Sequence, residues 1–416
     1  MKQIRIQGGN SLQGKIPVSG AKNSAVALLP AAILCDGIVT IDNIPNISDI
    51  EAIEEILLYL GAKISWKNRT MTIDSRSIEN KVIHETLAKK LRASYYFMGA
   101  LLGKFNKSEM SFPGGCSIGA RPIDLHLKGF EDLGATVSAN KNQYCVSANK
   151  LKGTDLYVKH SVGATVNLLF ASVLIEGTTT IHDAAKEPEI SNIVELLQKM
   201  GANISGKGTD TLVITGVKKL HSASISVIPD RIEAGTYIIA GALCGNKLEI
   251  TNIIPEHLKS LLYHLEKMHV DIKVTDSSVI VSKKDTLLPD QIKTEVYPGF
   301  PTDLQQPMTT LLTIANGNSK MEETIYENRF KHVSYLNKMG ASIDVKDRTL
   351  IVNAPTSLHG ETVVATDLRA GASLVLAGLY ATGETVITEV DHILRGYENI
   401  IEKLQTVGAK IELEEI

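Results

Sequence analysis

LLYLGAKI, at residues 57–64, is the first copy of a segment that the chain repeats along its length. The apolar run ending in Gly-Ala predicts the end of an amphipathic helix, followed by two short strands joined by a polar turn. The segment returns as FEDLGATV (130–137), LQKMGANI (197–204), LNKMGASI (336–343) and LQTVGAKI (404–411), and in degenerate form as EKMHVDI (266–272), with His269 in the glycine position. One such helix end is common in α/β proteins, but six at intervals of about 70 residues indicate a repeated unit.

A second element precedes the repeated segment. It is a helix rich in small apolar residues, followed by a turn and a strand, as in 21–35 with 38–44, 163–175 with 178–181, 231–243 with 248–250, and 367–380 with 385–387. Helices that are apolar on all sides are buried. The sequence therefore predicts an α/β fold of six units in two domains of three, with mixed sheets facing outward around buried helices. The junction is expected after the third unit, near residues 229–231.

The composition narrows the function classes. The 416 residues are 44% hydrophobic and 21% charged, with a net charge of −3, which gives no electrostatic basis for binding nucleic acid. Cys35, Cys116, Cys145 and Cys244 show no metal-ligand spacing. Reduced thiols fit a cytoplasmic protein best, and we expect neither a signal peptide nor a membrane-spanning helix.

A glycine-rich loop contains one of these cysteines. FPGGCSIGARPIDLH, at residues 112–126, places Cys116 five residues before Arg121. Glycines permit sharp turns and close approach to a ligand, and a thiol beside a cation on a loop is typical of reactive chemistry. A surface loop that happens to hold a cysteine is the alternative, and the loop alone does not decide between them.

Cations stand where the buried helices begin. A cation is unfavourable at a helix N-terminus, which carries positive partial charge. Either a bound anion or a nearby carboxylate would offset this cost, and the repetition favours an anion. The cations are Lys22, Arg92, Arg231 and Arg369, and Arg329 and Arg395 add two more before amphipathic helices. The set predicts a small polyanionic substrate.

Ten sequence blocks together carry a family resemblance. They are SGAKNSA (19–25), LRAS (91–94), PGGCSIGARPIDLH (113–126), SVGAT (161–165), EPEI (187–190), PDRIEAGT (229–236), FPTDLQ (300–305), ENRF (327–330), ATDLRA (365–370) and RGYE (395–398). With them the chain resembles the UDP-N-acetylglucosamine 1-carboxyvinyltransferase family of enolpyruvyl transferases. The resemblance implies two inside-out α/β domains of three repeats each, residues 22–229 and residues 1–21 plus 230–416. It also implies transfer of the enolpyruvyl group of phosphoenolpyruvate to the 3′-hydroxyl of UDP-N-acetylglucosamine, the first committed step of peptidoglycan synthesis, with release of phosphate.

The resemblance also implies residue roles. Cys116 would protonate the methylene carbon, and Asp303 would take the proton of the 3′-hydroxyl. The catalytic set is Cys116, Asp303, Lys22 and Arg395. Phosphoenolpyruvate would be bound by Lys22, Arg121 and Arg395, with help from Arg92 and Arg369. The nucleotide sugar would be bound by Asn23, Arg121, Pro122, Ile123, Asp124, Leu125, Lys159, Ser161, Val162, Gly163 and the backbone of Ile325, and Arg329 completes the binding set.

No cofactor and no metal ion are implied, and the expected partners are the two small-molecule substrates. His160 and the pair Tyr95-Tyr96 are bulkier than the family pattern. Some members carry aspartate in place of Cys116, so its presence predicts sensitivity to fosfomycin, a thiol-directed epoxide.

Two alternatives stay open. One is the sister enzyme that transfers enolpyruvyl to shikimate 3-phosphate, which lacks the cysteine loop. The other is a non-catalytic sugar-nucleotide-binding paralogue, which the joint presence of Lys22, Cys116, Asp303 and Arg395 disfavours.

Overall fold

The computed structural model describes residues 2–114, 123–140 and 142–415. These residues form two compact units. The first unit comprises residues 20–114, 123–140 and 142–228, and the second unit comprises residues 2–19 and 229–415. The expected domains, residues 22–229 and residues 1–21 plus 230–416, divide the chain at nearly the same positions as these two units. Their limits as functional domains stay a prediction.

The described residues form fourteen α-helices. These are α1 (Lys22–Ala31), α2 (Ser48–Leu60), α3 (Glu85–Ala88), α4 (Tyr96–Phe105), α5 (Asp124–Asp132), α6 (Val162–Ser172), α7 (Pro188–Lys199), α8 (Arg231–Cys244), α9 (Lys259–Lys267), α10 (Gln305–Leu312), α11 (His332–Lys338), α12 (Leu368–Tyr380), α13 (Asp391–Leu394) and α14 (Ile400–Thr406). Short 3₁₀ helices span Ala32–Leu34, Arg92–Tyr95, Pro255–Leu258 and Thr302–Leu304. None of the helices in the described ranges is long and apolar enough to cross a membrane.

Twenty-three strands accompany these helices over the same ranges. They are β1 (Lys2–Gln7), β2 (Leu12–Pro17), β3 (Ile38–Asp42), β4 (Lys63–Lys67), β5 (Thr70–Asp74), β6 (Lys107–Ser111), β7 (Thr136–Ala139), β8 (Gln143–Ser147), β9 (Asp155–Tyr157), β10 (Thr178–His182), β11 (Asn203–Ser205), β12 (Thr211–Thr215), β13 (Ala223–Ser226), β14 (Gly245–Thr251), β15 (Asp271–Val274), β16 (Ser278–Ser282), β17 (Gln291–Lys293), β18 (Ser319–Glu322), β19 (Ile343–Lys346), β20 (Thr349–Val352), β21 (Thr362–Val364), β22 (Glu384–Thr388) and β23 (Lys410–Glu415).

The strands form six small sheets, three in each unit. Five have four strands each, in the orders β13-β3-β5-β4, β9-β10-β12-β11, β2-β14-β16-β15, β17-β18-β20-β19 and β21-β22-β1-β23. Each of these five has one parallel pair followed by two antiparallel pairs. The sixth, β6-β8-β7, is antiparallel, with an isolated parallel bridge between Ile83 and Met110. The predicted repetition of mixed sheets is confirmed.

All six repeated segments end their helices in the same way. The first or second residue after each amphipathic helix adopts a left-handed backbone, with φ between 64° and 105° at Gly61, Gly134, Gly201, His269, Gly340 and Gly408. In every copy the next N–H returns to the carbonyl five residues earlier, as from Ala62 to Leu57 at 3.0 Å and from Val270 to Leu265 at 2.9 Å. This is the hydrogen bond of a Schellman cap. His269 therefore keeps the geometry that glycine provides elsewhere.

The core of each unit lies among its apolar helices. In the first unit α4 packs on α1 and α6, and in the second unit α8 and α10 pack on α12. Over the described ranges, the buried core of the first unit comes from residues between 21 and 227, while the core of the second unit combines residues 4–18 with residues 232–411. Strands such as β3, β10 and β22 bury alternate side chains against the helices and expose the others. Helices inside and sheets outside form the predicted inside-out arrangement.

Candidate active site

Two arginines form ion pairs with the carboxylate of Asp303 in the second unit. Nη2 of Arg329 lies 2.6 Å from Oδ1 of Asp303, and Nη2 of Arg369 lies 3.0 Å from Oδ2. The arginine side chains are only 4% and 5% exposed, whereas that of Asp303 is 25% exposed. We call these three residues the Asp303 clamp. In this clamp the carboxylate of Asp303 is partly exposed to solvent, while the two arginines that bind it are buried.

Local structure places each member of the clamp. Asp303 lies in the 3₁₀ helix that precedes α10, and Arg329 follows β18. Arg369 lies in the first turn of α12, where Asp367 caps the helix by accepting the backbone N–H groups of Arg369 and Ala370. A cation in that turn is unfavourable for α12 by itself, and the carboxylates of Asp303 and Asp367 offset it.

The electrostatics keep Asp303 ionised. Burial alone would raise its pKa, but Arg369 and Arg329 outweigh burial and hold the pKa well below its usual range. Burial would lower the pKa of Arg369, yet Tyr397 and Asp303 raise that pKa above its ordinary value. The guanidinium carbon of Arg369 lies 5.4 Å from the ring centre of Tyr397. An ion pair this buried is strongly oriented by its hydrogen bonds.

In the first unit, Lys22 also has a carboxylate partner. Its Nζ lies 2.8 Å from Oδ2 of Asp49, and both side chains are largely buried. Lys22 opens α1, and Asp49 lies in the first turn of α2. For Lys22 and Arg369, therefore, a protein carboxylate already offsets the cation at the helix start, as the alternative to a bound anion required. Asn23, the next residue, is exposed.

Arg92 lies beside a set of neutral groups at the start of α6. Its guanidinium carbon is 5.8 Å from the ring centre of Tyr95, whose ring meets that of His126 edge-on at 5.0 Å. Gly163 packs against both rings: a Cβ atom there would lie 2.8 Å from the Tyr95 hydroxyl oxygen and 3.0 Å from Nε2 of His126. We call Arg92, Tyr95, His126 and Gly163 the Gly163 cluster.

His126 contributes no charge to this cluster. Burial, with a smaller contribution from Arg92, lowers its pKa to about 3. Its Nδ1 lies 2.8 Å from the side-chain amide nitrogen of Asn167, whose oxygen accepts the N–H of Gly99. With Nδ1 as acceptor, the proton of the neutral ring is on Nε2, on the side of Gly163. The hydrogen bond to Asn167 gives this histidine a structural role.

The segment before Gly163 forms a tight entry into α6. Lys159 and His160 both have left-handed backbones, with φ of 48° and 57°. Ser161 is the N-cap of α6, and its hydroxyl accepts the N–H of Ala164 at 3.3 Å. Val162 begins the helix, and Lys159 is exposed. Free N–H groups at such a helix start are suited to an anion.

Other predicted residues take three further positions. Ile123 is buried and Leu125 half-buried around the start of α5, whose first residue, Asp124, is exposed. Arg395 is half-buried directly after α13. The N–H of Ile325 donates to Glu323 at 2.8 Å, which leaves its carbonyl as the backbone group that could meet a ligand. Cys116, Arg121 and Pro122 lie outside the described residues.

A cavity of about 290 Å³ opens in the second unit beside the segment of Asp303. Its wall includes Arg231, Lys259, Tyr297, Pro301 and Leu304. The guanidinium carbon of Arg231 lies 5.4 Å from the ring centre of Tyr297. Arg231, predicted to face an anion, thus borders an open space. Among the residues that the structure describes, no group of three or more His, Cys, Asp or Glu could hold a metal ion.

Sequence reasoning missed several residues of these clusters. Asp49 and Tyr397 pair with predicted cations, and Glu323 and Thr302 support the clamp from the protein side. Thr302 stands beside Asp303 within FPTDLQ, and Tyr397 stands within RGYE, so both lay inside blocks already singled out. Nothing local marks Asp49, whose partner Lys22 is distant in sequence. The link of Glu323 to the clamp runs through Thr302, 21 residues earlier, so the sequence around Glu323 does not show it.

The chain is similar to known proteins over its whole length. Residues 6–404 match the family described as EPSP synthase (3-phosphoshikimate 1-carboxyvinyltransferase). A UDP-N-acetylglucosamine 1-carboxyvinyltransferase of Clostridium botulinum is 51% identical over 414 residues, which cover 99% of each chain. UDP-N-acetylglucosamine 1-carboxyvinyltransferase 2 of Bacillus subtilis is 49% identical over 413 residues, covering 99% of this chain and 96% of the relative.

Solved structures show the same architecture. The enolpyruvyl transferase NikO from Streptomyces tendae superposes with a TM-score of 0.90 at 27% identity, covering 99% of this chain and 98% of its own. The EPSP synthase of Acinetobacter baumannii superposes with a TM-score of 0.76 at 17% identity, covering all of both chains. The second likeness concerns the fold alone.

Proposed function

This chain belongs to the enolpyruvyl transferase family, and we propose that it transfers the enolpyruvyl group of phosphoenolpyruvate to the 3′-hydroxyl of UDP-N-acetylglucosamine, releasing phosphate. The reaction would serve peptidoglycan synthesis in the cytoplasm. The observation that carries the proposal is the Asp303 clamp, an ionised and partly exposed carboxylate backed by two buried arginines, in a chain about half identical to transferases of that name.

Asp303 is assigned the proton of the 3′-hydroxyl. A carboxylate of low pKa is a weak base, so it could not deprotonate a free alcohol. The proton of the hydroxyl becomes strongly acidic, however, while its oxygen bonds to a cationic carbon. A base that stays ionised over the whole neutral range is then sufficient, and Arg329 and Arg369 keep Asp303 in that state.

The cationic carbon arises when the methylene carbon of phosphoenolpyruvate is protonated. We assign that proton to the Cys116 thiol, which at an ordinary thiol pKa is protonated at neutral pH. The alcohol then adds to C2 and its proton passes to Asp303. The methyl carbon returns a proton to the Cys116 thiolate, and phosphate leaves with the electrons of its C–O bond. Lys22, Arg121 and Arg395, with Arg92 and Arg369, are assigned to the phosphate and carboxylate, where fixed cations stabilise developing charge.

The start of α6 is assigned to the diphosphate of the nucleotide sugar. Support comes from Ser161, Val162 and Gly163, which form the N-cap and first residues of a buried helix of 11 residues. Lys159 adds a flexible cation before it. Pro122, Ile123, Asp124 and Leu125 are assigned to the uridine diphosphate, Asn23 to the sugar amide region or the reaction adduct, and the backbone of Ile325 to the uracil or the sugar. Arg329 belongs to the binding set through its contact with Asp303.

Phosphate release tests the function. We expect release when the full chain is mixed with phosphoenolpyruvate and UDP-N-acetylglucosamine, and none when shikimate 3-phosphate replaces the nucleotide sugar. Phosphate release with phosphoenolpyruvate and shikimate 3-phosphate, but not with the nucleotide sugar, would identify the sister activity. Binding of the nucleotide sugar without any phosphate release would identify a non-catalytic paralogue. Fosfomycin should inactivate the wild type and spare an active Cys116→Asp variant; inactivation of that variant would remove Cys116 as the target.

A further inference from the structure

A buried carboxylate lies behind the Asp303 clamp. Glu323 follows β18 and is fully buried. Its Oε1 accepts the hydroxyl of Thr294 at 3.0 Å and the N–H groups of Ile325 and Tyr326 at 2.8 and 3.1 Å. Its Oε2 accepts the hydroxyl of Thr302 at 2.7 Å. Four donors thus converge on one side chain, and only a group that accepts on both oxygens satisfies all of them.

The hydroxyl of Thr302 connects Glu323 to the Asp303 clamp by hydrogen bonds on both sides. Its oxygen donates to Glu323 and accepts Nη1 of Arg329 at 2.8 Å. The other terminal nitrogen of Arg329 donates to Asp303 at 2.6 Å. A guanidinium is planar and rigid, so fixing Nη1 also fixes the direction of Nη2. Thr302 therefore determines how Arg329 approaches the carboxylate of Asp303.

The two oxygens of Glu323 thus stabilise two different parts of the structure. Oε2 leads through Thr302 and Arg329 to Asp303, and Oε1 holds the backbone at Ile325 and Tyr326. We propose that Glu323 and Thr302 are positioning residues that hold the proton-accepting carboxylate and the ligand-facing backbone of Ile325 in register. The inference rests on the proposed function, because it assumes that Asp303 and Ile325 serve the same substrate.

We call the contacts from Oε2 through Thr302 to Asp303 one arm, and the contacts of Oε1 with the backbone at Ile325 and Tyr326 the other. The geometry predicts that substitutions on the two arms have separable effects on kcat and KM. In Thr302→Val, Arg329 loses the acceptor for Nη1 while the backbone at Ile325 keeps its anchor. In Glu323→Gln, loss of the charge weakens the hydrogen bonds to both oxygens. The new amide nitrogen must also face donors, either the hydroxyl of Thr302 or the two N–H groups, so both arms are disturbed. A misplacement of about 1 Å at a reacting group can reduce the rate by about 10²-fold.

Steady-state kinetics of phosphate release by the full chain test the proposal. We expect Thr302→Val to lower kcat by roughly 10- to 100-fold with an unchanged KM for UDP-N-acetylglucosamine, and Thr302→Ser to restore most of kcat. Glu323→Gln should lower kcat and raise that KM. Thr313→Val, the same change at the other end of α10, where the hydroxyl donates to the backbone carbonyl of Thr310 at 2.7 Å, should lower the melting temperature without the kinetic effect.

The outcomes are decisive because the wild type serves as reference. An inactive wild type would count against the proposed function itself. An active wild type with unchanged kcat in Thr302→Val, or with Thr302→Ser as impaired as Thr302→Val, would overturn the positioning role. If Glu323→Gln does not fold, the two variants at Thr302 still decide, since the conservative one retains the hydroxyl.

Discussion

The Asp303 clamp and the Gly163 cluster occupy the starts of equivalent buried helices but differ in their chemistry: the clamp is made of ion pairs, and the cluster mainly of uncharged rings packed on a glycine. In the clamp, a carboxylate and two buried arginines are joined by short charged contacts. In the cluster, a neutral histidine and a tyrosine pack against a glycine, and Arg92 lies over the tyrosine ring. The repeated fold therefore sets where a site lies, while single side chains set its chemistry.

The difference indicates two ways to prepare a site for a charged substrate. The clamp is oriented before any ligand arrives, because its ions already satisfy one another. In the cluster, the absence of a side chain at Gly163 lets two uncharged rings pack against the first turn of α6, so shape and backbone N–H groups carry recognition. Substitutions that remove charge should therefore reduce activity most in the Asp303 clamp. Substitutions that add volume should reduce activity most in the Gly163 cluster.

The largest effect is expected when the clamp loses its charge. Asp303→Asn leaves Arg329 and Arg369 without their common anion and removes the proton acceptor. We expect kcat to fall by about 10²- to 10⁴-fold, the usual contribution of a general base, with little change in the affinity for UDP-N-acetylglucosamine measured by calorimetry.

Asp290→Asn is a matched control for that change. Asp290 is an equally paired carboxylate of the second unit, bound by His264 at 2.6 Å and by Lys267. Its substitution should lower thermal stability while kcat is retained. Normal turnover in Asp303→Asn would refute the assignment of Asp303 as base, and equal losses of kcat in the two variants would show that the effect is structural.

Added volume tests the Gly163 cluster. In Gly163→Ala the new methyl group meets the Tyr95 hydroxyl at 2.8 Å and His126 at 2.9–3.0 Å. Overpacking of this kind costs about 1–3 kcal/mol. We expect the KM for UDP-N-acetylglucosamine to rise by about tenfold, the equivalent of 1.4 kcal/mol, with a smaller change in kcat.

A double-mutant cycle sharpens this prediction. Adding Tyr95→Phe removes the hydroxyl that the methyl group meets, so it should recover part of the KM. Gly378→Ala, on α12 with neighbours at 3.1 Å in the core of the second unit, controls for crowding elsewhere and should leave KM unchanged. Additive effects of Gly163→Ala and Tyr95→Phe would show that the two groups do not interact.

The sequence predicts the frame better than the sites, and the reason is physical. A helix end with a left-handed residue is a local feature, so the copies around Gly61 and Gly340 could be recognised within eight residues. The cations at helix starts could not be interpreted alone, since their partners come from afar: Asp303 lies 66 positions before Arg369. Glu323 resembles the exposed end of a polar strand in sequence, and only its four converging donors reveal its burial.

Acid should lower the stability of both units through one buried histidine in each. Burial, with the neighbouring arginine, lowers the pKa of both His126 and His332 to about 3. Between pH 6.5 and 3 the unfolded chain binds a proton at each site that the folded chain does not, so stability falls as the pH falls. At pH 5 each histidine should cost about 2 kcal/mol of unfolding free energy relative to pH 7.5.

Substituting each histidine separates the two contributions. Among the described residues, neither ring nitrogen of His332 has a hydrogen-bond partner, so His332→Leu should change little at pH 7.5 and weaken the acid dependence by about 2 kcal/mol. His126→Leu also strands the amide of Asn167 and should cost about 1–3 kcal/mol at pH 7.5. Urea unfolding at the two pH values measures both, and an unchanged acid dependence in His332→Leu would contradict a neutral buried ring.

The smallest expected effect concerns the frame that both sites share. His269 is exposed and holds a left-handed backbone with φ of 64°, a conformation that costs a residue with a Cβ about 1–2 kcal/mol. Glycine removes that strain but gains about 0.5–1 kcal/mol of entropy in the unfolded chain. His269→Gly should therefore stabilise the chain by about 0.5–1 kcal/mol in urea unfolding. Gly61→Ala should destabilise it, because the new Cβ would lie 2.6 Å from the carbonyl oxygen of Ser77. A loss of stability in His269→Gly would mean that the imidazole makes a contribution of its own at this helix end.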